Sequence, residues 1–252
     1  MTTLPVPSIE VRHLVKRYEK TLAVDDLSFR VSGGEILGMV GPNGAGKTST
    51  LRCMAGILRP SAGTVRVDGH DLAVEPALAK QGLAFIPDEP QLFPYLTVTE
   101  HLRFIGRAYD VPTPDTRITA LLGELELADK RDAFPTELSR GMRQKLAIAC
   151  GLIHTPRVLI LDEPLTGLDP AGIKRMKGHI VACAQGGAAV VLSSHLLHLV
   201  QELCTHLLVV QRGRAVASGT MAEVMALSQG SDLEDVFLTL TQDESATPVS
   251  TT

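Results

Sequence analysis

The sequence predicts an α/β fold: a mostly parallel sheet covered on both faces, with an antiparallel β subdomain at its N-terminal side and an inserted α-helical subdomain. Three observations carry this. The apolar runs at 36–40, 158–161 and 189–192 are continuous rather than alternating, as strands buried on both faces must be. Helical patterns separate them, so successive strands return in the same direction. Residues 9–31 instead alternate polar and apolar in short runs ending at Gly33-Gly34, the mark of antiparallel strands.

In chain order, the run 36–40 leads straight into Gly41-Pro42-Asn43-Gly44-Ala45-Gly46-Lys47-Thr48, after which 49–58 has helical spacing. A second hairpin follows at 63–69, and 83–86 forms a short strand. From about 90 to 156 the chain turns mostly helical. Thr97-Val98-Thr99-Glu100 has the form of a capping box opening a helix through Leu102 and Ile105. Pro112 and Pro114 punctuate; Ile118, Leu121, Leu122 and Leu125 mark a second helix face, and a third helix begins at Ser139. Another helix spans about 173–183 between the strands at 158–161 and 189–192. The division expected is an extension at 1–8, one domain over 9–238 with the helical subdomain at about 90–156, and a disordered polar tail at 239–252. There is no internal repeat.

Bulk properties bound the function. A chain of 252 residues with 44% hydrophobic and 21% charged residues has the make-up of a folded globular protein. Its net charge of -4 gives no electrostatic reason to expect nucleic acid as a partner. Cys53, Cys150, Cys183 and Cys204 form no C-x-x-C pair, and free buried thiols suited to a reducing compartment are expected. The N-terminus lacks the pattern of a signal peptide, and no apolar run reaches the roughly 18 residues of a membrane span.

The segment Gly41-x-x-x-x-Gly46-Lys47-Thr48 fits the phosphate-binding P-loop, and it stands between a buried strand and a helix as that motif requires. Glycines let successive backbone N–H groups turn inward around phosphate oxygens, and the helix adds the positive end of its dipole. Lys47 supplies a point charge for the β- and γ-phosphates, and the Thr48 hydroxyl is a hard ligand for Mg²⁺. At average composition a chain of this length meets the pattern by chance about once in a hundred. A P-loop NTPase core is therefore expected.

The strand 158–161 ends in Asp162-Glu163-Pro164. Alone, two carboxylates at a strand's end read as a solvated turn. Beside a P-loop they fall where Mg²⁺ and the attacking water belong: Asp162 to hold the metal, Glu163 to take the proton.

Together with Leu138-Ser139-Arg140-Gly141-Met142, these motifs resemble the ATPase cassette of the ATP-binding cassette (ABC) transporter family over roughly residues 9–227. Gly167-Leu168-Asp169 resembles that family's D-loop, Ser193-Ser194-His195 its switch histidine, and Tyr18 the aromatic that stacks on adenine. The resemblance implies ATP bound by Tyr18 and by Gly41, Pro42, Asn43, Gly44, Ala45, Gly46, Lys47, Thr48 and Ser49. It implies Mg²⁺ on Thr48, Asp162 and Asp88, and catalysis by Glu163 and His195 with Lys47. Two cassettes would pack head to tail as a homodimer or heterodimer, so that Ser139, Gly141 and Asp169 of one meet the nucleotide of the other. A separate integral membrane permease would complete the transporter, with this chain peripheral on the cytoplasmic face of the cell membrane.

The sequence departs from the family pattern at three places. Asp88 stands where a glutamine touching the metal is usual; a carboxylate keeps a metal ligand but adds charge near the γ-phosphate, and Gln91 lies nearby as a substitute. Arg140 and Met142 stand where glycine and glutamine are commoner. No sizeable domain follows the switch region, unlike in many sugar-importer ATPases. These details resemble exporter-type cassettes. Leu92, Phe93, Tyr95 and Leu96 are read in two ways, as a groove for a permease helix or as core of the helical subdomain. A soluble family member and a non-catalytic nucleotide sensor are the alternatives, but the chain has neither a second cassette nor a coiled-coil insert, and it keeps Lys47, Glu163 and His195.

Overall fold

The computed structural model describes residues 8–227 and 232–242. Two sheets form the framework. The first is antiparallel, in the order β2-β1-β4-β5, from β1 (Ile9–Tyr18), β2 (Thr21–Val31), β4 (Ala62–Val67) and the two-residue β5 (His70–Asp71). β4 returns into β5 through Asp68 and Gly69, both left-handed at φ 52° and 82°, a type I′ turn.

The second sheet has the order β10-β9-β3-β8-β7-β6. β3 (Ile36–Val40), β6 (Leu83–Ile86), β7 (Val158–Asp162), β8 (Ala189–Ser193) and β9 (His206–Gln211) are parallel, and β10 (Arg214–Thr220) closes one edge antiparallel to β9. The expected double-sided burial is plain in β7. Val158 and Ile160 belong to the core shared with the antiparallel sheet, while Leu159 and Leu161 belong to the core shared with the helical subdomain.

The helices follow the local signals. α1 (Lys47–Met54) starts at the P-loop and stops short of the expected residue 58, because Gly56 turns left-handed at φ 63°. α2 (Pro76–Gln81) is a short helix that the periodicity did not announce. α3 (Val98–Ala108) carries the full Thr97–Glu100 capping box. α4 (Pro114–Glu124) places Pro114 in its first turn and buries Ile118, Leu121 and Leu122. α5 (Arg140–Leu152) is capped by Ser139, and α6 (Pro170–Gln185) by Asp169.

The C-terminal part was the least anticipated: the β9–β10 hairpin, α7 (Leu197–Leu203), α8 (Met221–Met225) and α9 (Leu233–Gln242). α9 runs past residue 239, where the polar tail was expected to begin. Leu233 and Val236 are buried and Phe237 and Leu240 pack beside them, a one-face stripe that draws the following polar residues into the helix. The Thr239 and Thr241 hydroxyls donate to the carbonyls of Asp235 and Phe237 at 2.9 and 2.7 Å, four residues back. Residues 243–252, the rest of that tail, and 1–7, most of the N-terminal extension, lie outside the described residues. The four cysteines are free; burial pushes Cys150 and Cys204 up to about 12, so they are inert thiols. Among the described residues no helix is long and apolar enough to cross a membrane.

Candidate nucleotide site

The site grows from the register of three neighbouring parallel strands. β8 lies between β3 and β7, and Ser193 at its end pairs with both Met39 and Asp162. The P-loop after β3 and the acidic turn after β7 therefore open on the same edge of the sheet, flanking β8.

The P-loop is held from behind. Gly41 and Gly46 sit so close to the carbonyl oxygens of Val210 and Ala23 that a Cβ at either position would collide with them, and Gly46 has φ 102°. Gly213 in the β9–β10 turn donates to the Ala45 carbonyl at 2.9 Å and accepts from Asp25, tying the loop to β2. No side chain caps α1, so its first N–H groups remain available to an anion. Lys47 Nζ donates to the carbonyls of Gly41 and Pro42 at 2.6 and 3.2 Å, which aims the ammonium along the loop. Burial pulls its pKa down, and the charges of Glu163 and Asp162 pull against that.

At the acidic turn, Asp162 is 4% exposed. Its Oδ1 accepts from the Ser193 hydroxyl at 2.6 Å and from the Thr48 hydroxyl at 3.3 Å. The Glu163 N–H donates to the Ser193 carbonyl at 3.1 Å and to its hydroxyl at 3.2 Å. Glu163 is thereby kept left-handed at φ 49°, a conformation that costs a side-chain-bearing residue of order 1 kcal/mol or more. Its carboxylate accepts from His195 Nδ1 at 2.8 Å and from the His195 N–H at 3.3 Å. With Nδ1 engaged there, the His195 side chain stays largely open to solvent, 58% exposed.

Tyr18, Thr21, Asn43 to Ser49, Asp88, Asp162 and Glu163 surround one cleft of about 600 Å³. The Tyr18 hydroxyl meets the Ser49 hydroxyl at 3.2 Å, with the ring 40% exposed at the cleft's edge. Asp88 is shared with a neighbouring groove lined by Arg52, Ile57, Glu89 and Gln91. Its Oδ1 is withdrawn from solvent with no hydrogen-bond partner; the nearest cation, Arg140 Nη2, is 3.7 Å away, within ion-pair range. Thr48, Asp162 and Asp88 thus present hard oxygens to one space, a donor set that could hold a divalent cation.

Six expected site residues do not line the cleft. Gly41, Pro42 and His195 adjoin it, the first two through their carbonyls on Lys47 and the third through Glu163, whereas Ser139, Gly141 and Asp169 stand elsewhere. Ser139 Oγ accepts from the Met142 N–H at 3.2 Å and keeps its own proton free to donate. Gly141 lies against the Gly167 carbonyl, where a Cβ would come within 3.2 Å of the oxygen. Asp169 Oδ1 accepts from the Gly172 N–H at 3.0 Å. Two residues were undervalued from sequence. Ser193, which braces both acidic residues, served only as part of a motif; a hydroxyl ending an apolar strand beside a carboxylate-ended strand was its signal. Arg140 was noted only as a departure.

The family model described as "ABC transporter" matches residues 24–166. A Nod factor export ATP-binding protein I of Paraburkholderia xenovorans is 36% identical over 93% of this chain and 78% of its own length. The ABC-type transporter ATP-binding protein EcsA of Bacillus subtilis is 31% identical over 94% and 97%, respectively. The daunorubicin/doxorubicin resistance ATP-binding protein DrrA of Streptomyces peucetius is 37% identical over 92% of this chain and 71% of its own length. A solved structure described as the ATP-binding subunit of an ABC transporter superposes with TM-score 0.88 at 32% identity, covering 92% of this chain and 98% of that one. With the P-loop, the acidic turn and the capped Ser139 helix in these positions, the chain belongs to the ABC transporter family, as one of its ATP-binding, ATP-hydrolysing subunits.

Proposed function

We propose that this cassette drives export through a separate integral membrane permease, working on the cytoplasmic face of the membrane as one of two head-to-tail cassettes, identical or not. The observation that carries this reading is the split of the site. The P-loop, Asp162 and Glu163 meet in one cleft, with His195 bonded to the Glu163 carboxylate from outside it, while Ser139 and Gly141 stand at a helix start that does not line the cleft. A second copy presenting that helix start would complete the phosphate's surroundings. The export direction is supported by relatives whose names speak of Nod factor export and drug resistance.

In this reading Tyr18 stacks on the adenine. The P-loop N–H groups from Asn43 to Ser49 and the Lys47 ammonium bind the phosphates, with Gly41 and Pro42 shaping the loop's entry. Bound Mg²⁺ would neutralise charge on the β- and γ-oxygens, and Thr48, Asp162 and Asp88 would hold it; the unpartnered buried Oδ1 of Asp88 fits that role. Glu163 takes the proton of the attacking water. His195 fixes the Glu163 carboxylate through Nδ1 and turns Nε2 toward the γ-phosphate. Ser139 and Gly141 of the other copy add a helix N-terminus at the same phosphate, with Asp169 beside them. Loss of the γ-phosphate removes that attraction, and the copies part.

Phe93 and Tyr95, 49% and 88% exposed, with Phe104 beside Phe93, offer an apolar face for the permease. Leu92, by contrast, packs on the core of the helical subdomain. The test is capture from membranes: the Glu163→Gln chain, tagged and extracted with ATP, should bring down one multi-span membrane protein. Recovery of the chain without a membrane protein would end the transporter reading.

A further inference from the structure

Two of the departures from the family pattern carry opposite charges and meet in the fold. Asp88 follows β6 in the nucleotide core, and Arg140 opens α5 in the helical subdomain. Arg140 Nη2 lies 3.7 Å from Asp88 Oδ1. The stem of Arg140 lies across Gly167, where a Cβ would come within 3.2 to 3.7 Å of its Nε, Cδ and Cγ. Gly167, left-handed at φ 79°, brings no side chain onto that path. Arg140 therefore reaches from the start of α5 over the turn that follows Glu163 to the carboxylate that follows β6.

The contact is an attraction without a hydrogen bond. Asp88 Oδ1 has no hydrogen-bond partner, and the Arg140 side chain is 60% exposed. The planar fork of the guanidinium thus keeps donors for another acceptor, and a phosphate fits that fork better than a single carboxylate oxygen does. In the head-to-tail reading, the helix start that carries Arg140 faces the nucleotide held by the second copy, whereas Asp88 faces the nucleotide held by its own. The pair links two different nucleotide sites through one polypeptide.

We propose that Arg140 has two alternating partners: Asp88 of its own chain in the separate cassette, and the γ-phosphate on the second copy in the closed pair. This rests on the head-to-tail reading. Closing then frees Asp88 for its own site, and a divalent cation held there with the nucleotide would draw on Asp88 and release Arg140 toward the other copy. Each nucleotide favours the closure that the other needs, which is positive coupling between the two sites.

The test is dimerisation of the full chain carrying Glu163→Gln, followed by sedimentation with ATP in EDTA, where no metal role of Asp88 can intervene, and again with Mg²⁺. In EDTA, Asp88→Asn should tighten the dimer about threefold or more by releasing Arg140. Arg140→Ala should weaken it about tenfold, and Arg140→Lys, which keeps the charge and guards against a folding artefact, should recover part of the loss. In the Arg140→Ala background, Asp88→Asn should change nothing. An equal effect of Asp88→Asn in both backgrounds, or an unchanged dimer on Arg140→Ala, overturns the exchange while leaving the head-to-tail pair intact. If the parent chain forms no dimer with ATP under either condition, the head-to-tail reading fails and the exchange fails with it.

Discussion

The floor of the nucleotide cleft and the outer side of the helical subdomain treat their polar and aromatic groups in opposite ways. On the floor, Asp162, Ser193, Glu163 and His195 are joined in one chain of hydrogen bonds, with Asp162 buried and Glu163 fixed in a left-handed backbone. Around the helical subdomain, Ser139 caps its helix at the surface, Arg140 is attracted but not bonded, Phe93 and Phe104 are about half open and Tyr95 almost fully so. The first region satisfies itself, which suits groups that must be in place before a reaction. The second leaves donors and apolar surface to be satisfied by another molecule, which suits groups that report the state of the site elsewhere.

The sharpest way to break this contrast is at the floor. Glu163→Gln keeps the size of the side chain and an oxygen to accept from His195 but removes the base. Phosphate release should fall by about 10²–10⁴-fold, while a fluorescent ATP analogue still binds with its original affinity. Hydrolysis at the parent rate would mean that the proton goes elsewhere. Ser193→Ala should act through its neighbours: kcat falls about tenfold or more with little change in KM, because Asp162 and the Glu163 backbone lose their brace. A matched loss in KM would instead assign Ser193 to nucleotide binding.

At the start of α5, two substitutions of Ser139 separate the local role from the outward one. Ser139→Ala removes the cap and should cost about 1 kcal/mol of stability in denaturant titration. Ser139→Asp keeps the cap, since a carboxylate accepts the Met142 N–H equally well, but sets a negative charge against the incoming phosphate. It should melt like the parent chain and yet lose ATP-driven dimerisation about tenfold or more. Retention of dimerisation would show that this helix start does not face a second nucleotide.

The two regions differed in legibility for the same reason. The P-loop, the strand ending at Asp162 and the caps at Thr97 and Ser139 are local devices, each written within a few consecutive residues, and they could be placed without the fold. Ser193 could not be weighed, because its partners Asp162 and Glu163 arrive through strand register thirty positions away. The Asp88–Arg140 contact is further still from local, joining two subdomains. The β9–β10 hairpin was missed although Arg212 and Gly213, left-handed at φ 50° and 81°, supply its two-residue turn; an apolar run followed by the mixed strand Arg214–Thr220 gave little alternation to read. In α9 the stripe Leu233, Val236, Phe237, Leu240 was present, but its polar neighbours read as a tail.

A smaller effect comes from buried rings in the helical subdomain. His101 Nδ1 donates to the Thr97 carbonyl at 2.8 Å and Nε2 accepts from the Phe93 N–H at 2.9 Å, which fixes it as the neutral tautomer. Burial lowers its pKa, against the opposing pull of the Thr97 carbonyl and Glu100. Burial also lowers His154, stacked on Tyr109 at 3.9 Å. Below about pH 6.5 the unfolded chain takes up protons that these folded sites refuse, so stability is full above that pH and falls as pH drops, by at most about 1.4 kcal/mol per pH unit for each ring. Denaturant titrations from pH 7.5 to 5.5 should show this fall, and His101→Gln should make it shallower; an unchanged slope would remove His101 from the account.

The least perturbing substitution bears most directly on what the outer face is for. Tyr95 is 88% exposed, so Tyr95→Ala forfeits almost no buried area and should shift stability by no more than about 0.5 kcal/mol. It lines neither the nucleotide cleft nor the groove beside Asp88, so ATP hydrolysis by the isolated chain should keep the parent rate. If the aromatic face around Phe93 receives the permease, the same substitution should reduce co-purification with the membrane subunit and lower transport per ATP. Phe93 is the necessary companion, because its N–H is bonded to His101 and its ring meets Phe104 edge-on at 5.3 Å. Phe93→Ala should therefore add a modest loss of stability to the same uncoupling. Uncoupling by Phe93→Ala alone would point to disordered packing around His101, whereas uncoupling by both, with only Phe93→Ala destabilised, places the contact on the surface that the two rings share.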